Sequence, residues 1–208
     1  MDMARFNHLH RVTPGILSSG LEGVIVRETE NTIDLIIDPV KNSETTFYFL
    51  SSDFHANKHC SIEVNFRYEA ATVHIFGLYE LHDKKHIKIK TTMNHFVPHC
   101  TSKQLWKGVM HDASKAAFEG KIIVHPQAQK THAQLANKNL LLSQQAEINT
   151  KPELEIYADD VTCSHGATIG CLDDNALFYL RSRGIEENEA RAILVKAFIE
   201  ELYDIGDL

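Results

Sequence analysis

Residues 120–156 read GKIIVHPQAQKTHAQLANKNLLLSQQAEINTKPELEI, and the spacing of apolar residues in this stretch decides the architecture. Ile122–Val124, Leu140–Leu142, Ala146–Ile148 and Leu154–Ile156 are short apolar pieces separated by polar residues and breakers such as Pro126. None continues as the i, i+3, i+4, i+7 pattern of an amphipathic helix; they read as strands of about three residues, recurring every six to thirteen or so. The same texture extends back through Ile87–Ile89, Val73–Phe76, Ile62–Val64, Phe47–Leu50, Leu35–Ile37 and Val24–Val26. Val, Ile, Thr, Phe and Tyr dominate it, as suits a pleated, half-buried surface. A sandwich, a barrel and a β-helix all accommodate such strands, and short pieces recurring this way also suit the coils of a solenoid. Asn137-Lys138-Asn139, ahead of three leucines, reads as a turn whose asparagines tolerate left-handed backbone.

The register changes at Leu172-Asp173-Asp174. Asp173 or Asp174 is a good N-cap, Ala176–Arg183 makes a short helix, and Gly184 stops it. A second helix is expected from Glu187 to about Tyr203, with an apolar stripe of Ala190, Ile193, Leu194, Ala197, Phe198 and Leu202. The bland role for this pair is to cover unpaired strand edges at the end of the β domain. The expected division is an N-terminal segment over 1–20, a β domain over 21–172 and a helical domain over 173–208.

Composition narrows the function. A formal net charge of -7 argues against binding a phosphate backbone, and no Lys/Arg cluster offsets it. No apolar run approaches the length needed to cross a bilayer, and Met1–Phe6 lacks the core of a signal peptide. A cytoplasmic location with no membrane or nucleic-acid partner is expected, with Cys60, Cys100, Cys163 and Cys171 as free thiols. No phosphate-binding G-x-x-x-x-G-K-[ST], dinucleotide G-x-G-x-x-G or nucleophile-elbow G-x-S-x-G is present. His55-x3-His59-Cys60 and His95-x3-His99-Cys100 repeat a ligand-like spacing. H-x3-H serves a metal best on a helix, which Phe96-Val97-Pro98 opposes, so structural roles are expected.

The run Asp159-Asp160-Val161-Thr162-Cys163-Ser164-His165-Gly166-Ala167-Thr168-Ile169-Gly170 carries more chemistry. On a strand, residues i and i+2 share a face, so Cys163 and His165 present a thiol and an imidazole together. That donor pair suits a thiophilic metal or an iron–sulfur cluster. Asp159 and Asp160, being adjacent, face opposite sides and make a poor acid/base pair.

Together with this run, Asn137-Lys138-Asn139-Leu140-Leu141-Leu142-Ser143, Lys151-Pro152-Glu153-Leu154-Glu155-Ile156 and Leu177-Phe178-Tyr179-Leu180-Arg181-Ser182-Arg183-Gly184-Ile185 form an ordered series. It resembles the C-terminal half of the SufB/SufD family, scaffold subunits of the SUF iron–sulfur cluster assembly machine. The resemblance is dense from about Gly120 to Phe198 and thinner back through Pro98, Thr101, Ser102, Gln104, Lys107 and Gly108. Over residues 1–95 it is loose. The wording Cys-Ser-His-Gly-Ala-Thr is similar to the D-type subunits; B-type subunits typically carry glutamate where Gly166 stands.

The resemblance implies a mainly β fold, a right-handed parallel β-helix followed by a short C-terminal helical hairpin. It also implies a non-catalytic scaffold that pairs with a SufB-type subunit and docks the SufC ATPase, supporting iron acquisition and cluster assembly. Cys163 and His165 are then the candidate iron or cluster ligands at the SufB interface. Phe178, Tyr179, Arg181, Ala190, Leu194, Ala197 and Phe198 are the candidate partner-binding residues on the hairpin. No stably bound cofactor is expected, iron or a cluster passing transiently through the complex, and the isolated chain is expected to self-associate as a homodimer. Family members carry a partly helical region before the β-helix, so this chain is expected to be a fragment or a shortened relative. The competing readings are a β-helical carbohydrate-active enzyme, which needs a carboxylate-lined groove along one face, and a generic β-solenoid interaction module.

Overall fold

The structure, a computed structural model, describes residues 10–13, 16–20, 22–50 and 58–206. It is a parallel β-solenoid of about five turns followed by two helices. In chain order the strands begin with β1 (His10–Thr13), β2 (Ile16–Ser18), β3 (Val24–Glu28), β4 (Thr32–Ile37), β5 (Glu44–Leu50) and β6 (Lys58–Phe66). They continue with β7 (Thr72–Leu81), β8 (His86–His95), β9 (Thr101–Met110), β10 (Lys115–Val124), β11 (His132–Leu141), β12 (Glu147–Ile156) and β13 (Thr162–Gly170). Helices α1 (Asp174–Ser182) and α2 (Glu187–Gly206) close the chain.

From β4 onward the strands alternate between two sheets. The first has the order β1-β2-β5-β7-β9-β11-β13 and the second β12-β10-β8-β6-β4-β3. Pairing is parallel except for β1 with β2, β2 with β5 and β3 with β4. The sheets enclose one apolar core between them. Its repeat is one strand in each sheet plus two corners: Thr72, Thr101, His132 and Thr162 are aligned neighbours, steps of 29, 31 and 30 residues.

The strands are ten residues long through most of the solenoid, not the three that apolar runs suggest. In Lys115–Val124, KAAFEGKIIV, buried and partly exposed residues alternate almost without a break. Only the inward face needs apolar side chains, so a ten-residue strand shows a continuous apolar run only where its outward face is covered or tolerant. Asn137 and Asn139 are a second departure from expectation, since both lie inside β11 rather than in a turn. Their side chains are buried and form a polar ladder: Asn139 Nδ2 donates to Asn137 Oδ1 at 2.8 Å, and Asn137 Nδ2 donates to Tyr79 Oη at 3.0 Å. Tyr79 Oη in turn donates to Asn139 Oδ1. Left-handed backbone falls instead at the corners, on Ala70, Asp83, His99, Asp112 and Lys130.

The outward faces of the two sheets differ. The second is a solvated charge ladder, with Lys88–Glu119 at 2.9 Å, Lys115–Glu147 at 2.7 Å and Lys121–Glu155 at 2.7 Å. These pairs engage the Glu119, Glu147 and Glu155 carboxylates with lysines of neighbouring strands. The outward face of the first sheet carries an apolar patch, in which Tyr48, Leu50, Phe76, Leu78 and Leu105 cluster with Leu202 of α2 and, at its margin, Ile199. The hairpin therefore seats α2 on a sheet face, against β7 and β9, rather than across the strand edges at the solenoid's end. Asp173 caps α1 by accepting from Asn175 N at 2.9 Å, and Gly184 follows with φ of 87°.

Candidate functional site

β13 is the last strand of the first sheet and β12 the last of the second. Each therefore offers one unpaired backbone edge at the C-terminal end of the solenoid. The register sets which side chains of β13 point to the core side. Cys163 aligns with Ala133 and His165 with Leu135, both core residues of β11. Cys163 and His165 thus share the inward face, as their spacing predicts, with Ala167 and Ile169 in the same row. Beyond them no further coil covers that row: His165 and Ala167 are exposed and Ile169 is 50% exposed. On β12, Ile156 at the end of the corresponding row is also exposed.

Cys163 is half-buried and packs against the edge of the core. Burial pushes its thiol pKa up, offset in part by a hydrogen bond from the Ala133 backbone. The free thiol is therefore protonated at neutral pH, and a metal must displace that proton to bind. The strand supplies one sulfur and one nitrogen ligand. Among the described residues, the one group of three potential ligands that gathers is Glu80, His82 and His111, which does not include this pair. Cys163 and His165 can supply half of a tetrahedral set, with the rest left to another molecule.

The other ligand-like motifs dissolve into structure. His95 lies inside the solenoid, stacked on Phe66 at 4.2 Å and hydrogen-bonded to Ser102 Oγ at 2.9 Å. His99 occupies a corner with φ of 62°, and Cys100 is buried beneath it, donating to Tyr68 O at 3.4 Å. His59 is exposed while Cys60 is buried, as neighbours on one strand must be; His55 lies outside the described residues. Asp160 is engaged at the β12–β13 corner by Lys130 and, through its N–H, by Gln129 Oε1 at 2.9 Å.

The hairpin residues separate into free and committed groups. Phe178 is 75% exposed and Tyr179 58%, with Arg183 stacked 5.3 Å from the Tyr179 ring. Arg181 bridges to Glu187 of α2 at 3.3 Å. Ala197 is exposed and Leu194 half-buried. Ala190 has no exposed surface, so it holds the hairpin together and is not available to a partner. Phe198 is half-buried, its ring 4.4 Å from the Lys107 ammonium.

Lys107 falls in the family-like series, but the motif assigns it no role. It stands on the outward face of β9, four residues after Lys103, and the sequence offers no local sign that its partner is 94 residues away. Its Nζ donates to Phe198 O and, at 2.5 Å, to Glu201 Oε2, while Lys138 reaches Glu201 Oε1 at 2.6 Å. Burial lowers the Lys107 pKa, and Glu201 offsets part of that fall. Burial would raise Glu201, but hydrogen bonds from Lys107 and Lys138 outweigh it and hold the carboxyl below its usual range.

Comparison with known proteins converges on one family. Residues 43–198 match the family described as the SUF system FeS cluster assembly, SufBD core domain. The match takes in β5 to β8, where motif reading finds only a loose resemblance. The iron–sulfur cluster assembly protein SufD of Escherichia coli is 50% identical over 113 residues, 54% of this chain and 27% of that protein. A SufBD family protein of Synechocystis is 50% identical over 112 residues, 54% of this chain and 24% of the relative. Another from Mycobacterium leprae is 33% identical over 150 residues, 68% of this chain and 38% of the relative. The matched stretch thus spans about a quarter to two fifths of these relatives' length.

Proposed function

From the premise that this chain belongs to the SufB/SufD family and is of its SufD type, we propose that it is a non-catalytic scaffold subunit for iron–sulfur cluster assembly. In this reading it pairs with a SufB-type subunit and docks a SufC-type ATPase. The observation that carries the pairing is the open C-terminal coil. β12 and β13 end their sheets with unpaired edges, and Ile156 and Ile169 leave apolar surface exposed beside them. A partner strand laid along β13 would satisfy that edge, as sheet augmentation does. It would also enclose Cys163 and His165 at the junction, where the partner could complete a ligand set that this chain only half supplies.

The hairpin supports the second contact. Phe178 and Tyr179 present exposed aromatic surface on α1, the kind of side chain that anchors a protein interface. Movement of a docked ATPase would reach the solenoid through α2, which Leu202 seats on the sheet and Lys107 holds by Glu201. No helix among the described residues is long and apolar enough to cross a membrane, and the proposed location is the cytoplasm.

Co-expression with SufB-type and SufC-type partners, with a tag on this chain alone, tests the reading. Ile169→Lys should lose the SufB-type subunit, and Phe178→Ala with Tyr179→Ala should lose the ATPase. His165→Ala should keep both partners and lose iron–sulfur absorbance. Recovery of neither partner by the well-folded parent chain overturns the assignment.

A further inference from the structure

We propose that Glu80, His82 and His111 form a binding site for one divalent transition-metal ion of borderline softness, zinc(II) or iron(II). The site lies at the corner where β7 and β9 leave the first sheet, and it is separate from Cys163 and His165 on β13. His111 Nε2 is 3.0 Å from Glu80 Oε1, and His82 Nε2 is 3.8 Å from the same oxygen. The two imidazoles stack with centroids 4.0 Å apart and planes 22° from parallel. All three ligand atoms lie within 4.8 Å of one another. Ligand atoms around a tetrahedral ion with bonds of about 2.0–2.1 Å are about 3.3 Å apart. The two glutamate–histidine separations bracket that value, and binding requires the stacked imidazoles to splay so that both ring nitrogens aim at one ion beside the carboxylate.

The solenoid repeat makes the cluster. His82 and His111 hold equivalent places in successive coils, 29 residues apart, each directly before an aspartate in left-handed backbone, Asp83 with φ of 60° and Asp112 with φ of 49°. The two corners are bonded to each other. His111 N donates to Leu81 O at 2.8 Å, Ala113 N to Asp83 O at 2.9 Å, and Asp83 N to Asp112 Oδ2 at 2.8 Å. These hydrogen bonds therefore fix the spacing of the two corners that carry the histidines without any metal, which lowers the ordering cost of binding. Glu80 is two residues before His82 and comes from the end of β7.

The donor chemistry selects the ion. Two imidazoles and one carboxylate suit zinc or iron(II) and disfavour magnesium or calcium, which take all-oxygen sets. Three protein ligands leave coordination positions to water or an exchanging ligand, as in open rather than closed metal sites. The side chains are 37%, 51% and 26% exposed for Glu80, His82 and His111, so an ion reaches them from solvent. An open site of this kind suits a metal that is taken up and released.

The test is calorimetric titration of the chelator-treated chain with zinc(II) and, anaerobically, with iron(II), using cobalt(II) as an optical probe. The expected result is one equivalent per chain that His82→Ala, His111→Ala and Glu80→Gln each weaken by at least about tenfold. A Cys163→Ser/His165→Ala variant should retain that equivalent, which keeps this site distinguishable from the proposed cluster site. Zinc should raise the parent's melting temperature and leave that of His82→Ala unmoved. Circular dichroism establishes that the variants fold. Millimolar binding only, or an equivalent lost with Cys163 and His165 but kept in His82→Ala, overturns the proposal.

Discussion

Lys107 on β9 and Glu201 on α2 meet at 2.5 Å, with the lysine side chain 1% exposed and the glutamate 40%. The unequal burial of the partners decides what each substitution does. Glu201→Ala leaves a buried ammonium with a carbonyl and an aromatic face, and the cost should be about 3 kcal/mol. Lys107→Met removes the charge, keeps the volume, and leaves Glu201 to Lys138 and water; it should cost about 1 kcal/mol or less. Urea denaturation of both variants checks the order. Equal losses would mean that the pair contributes only as a surface bridge.

Gly77 faces the ring of Trp106, which is buried between Phe49 at 5.3 Å and Phe118 at 5.5 Å. A Cβ at Gly77 would overlap the six-membered ring, and the flanking aromatics leave the indole nowhere to go. Gly77→Ala should destabilise the chain by about 3 kcal/mol or prevent soluble expression. Gly166→Ala, where a Cβ meets nothing within 4 Å, should stay within about 0.5 kcal/mol of the parent. Paired thermal melts measure both.

Burial pulls the His95 pKa from its ordinary 6.5 down to about 3, and its Nδ1 has no hydrogen-bond partner among the described residues. Above pH 6.5 the folded and unfolded chains both hold a neutral imidazole. Between 6.5 and about 3 the unfolded chain takes up a proton that the folded one refuses. Stability is therefore lost as pH falls through this window, at up to about 1.4 kcal/mol per pH unit from this group. His95→Gln lowers the baseline by losing the stack on Phe66, but it should flatten the slope by one proton's share. Denaturant midpoints at several pH values report the slope directly, and an unchanged slope would remove His95 from the account.

The four thiols should divide by burial. Burial, with help from the Asp34 carboxylate, pushes Cys60 up to about 12, and burial also raises Cys100. Both are inert in the folded chain. An aromatic disulfide reagent should titrate exposed Cys171 quickly and half-buried Cys163 slowly. Cys60 and Cys100 should appear only in denaturant. Fast reaction of Cys60 would mean that the β4–β6 layer opens in the native state.

Some of this was legible in short windows. Ile122–Val124 and its relatives marked strands, yet they understated strand length because in KAAFEGKIIV the outward Lys115, Glu119 and Lys121 interrupt the apolar run. Asp173 and Gly184 announced α1 by cap chemistry that depends on neighbours alone. The spacing of Cys163 and His165 put them on one face because strand side chains alternate. Asn137 and Asn139 misled, since turn propensity is overridden when Tyr79 from two coils away satisfies both amides.

The sequence by itself determined the family, the β character of the body, the helical hairpin and the shared face of Cys163 and His165, all of which rest on local order along the chain. Only the tertiary structure decided that α2 lies on a sheet face, that Lys107 is tied to Glu201, and that Glu80, His82 and His111 gather at one corner. The physical reason is register. A parallel solenoid stacks residues about thirty positions apart at roughly 4.8 Å, and its corners bring each strand back into register whether the coil takes 29, 30 or 31 residues, so which side chains meet is set by strand pairing and not by any fixed spacing along the chain.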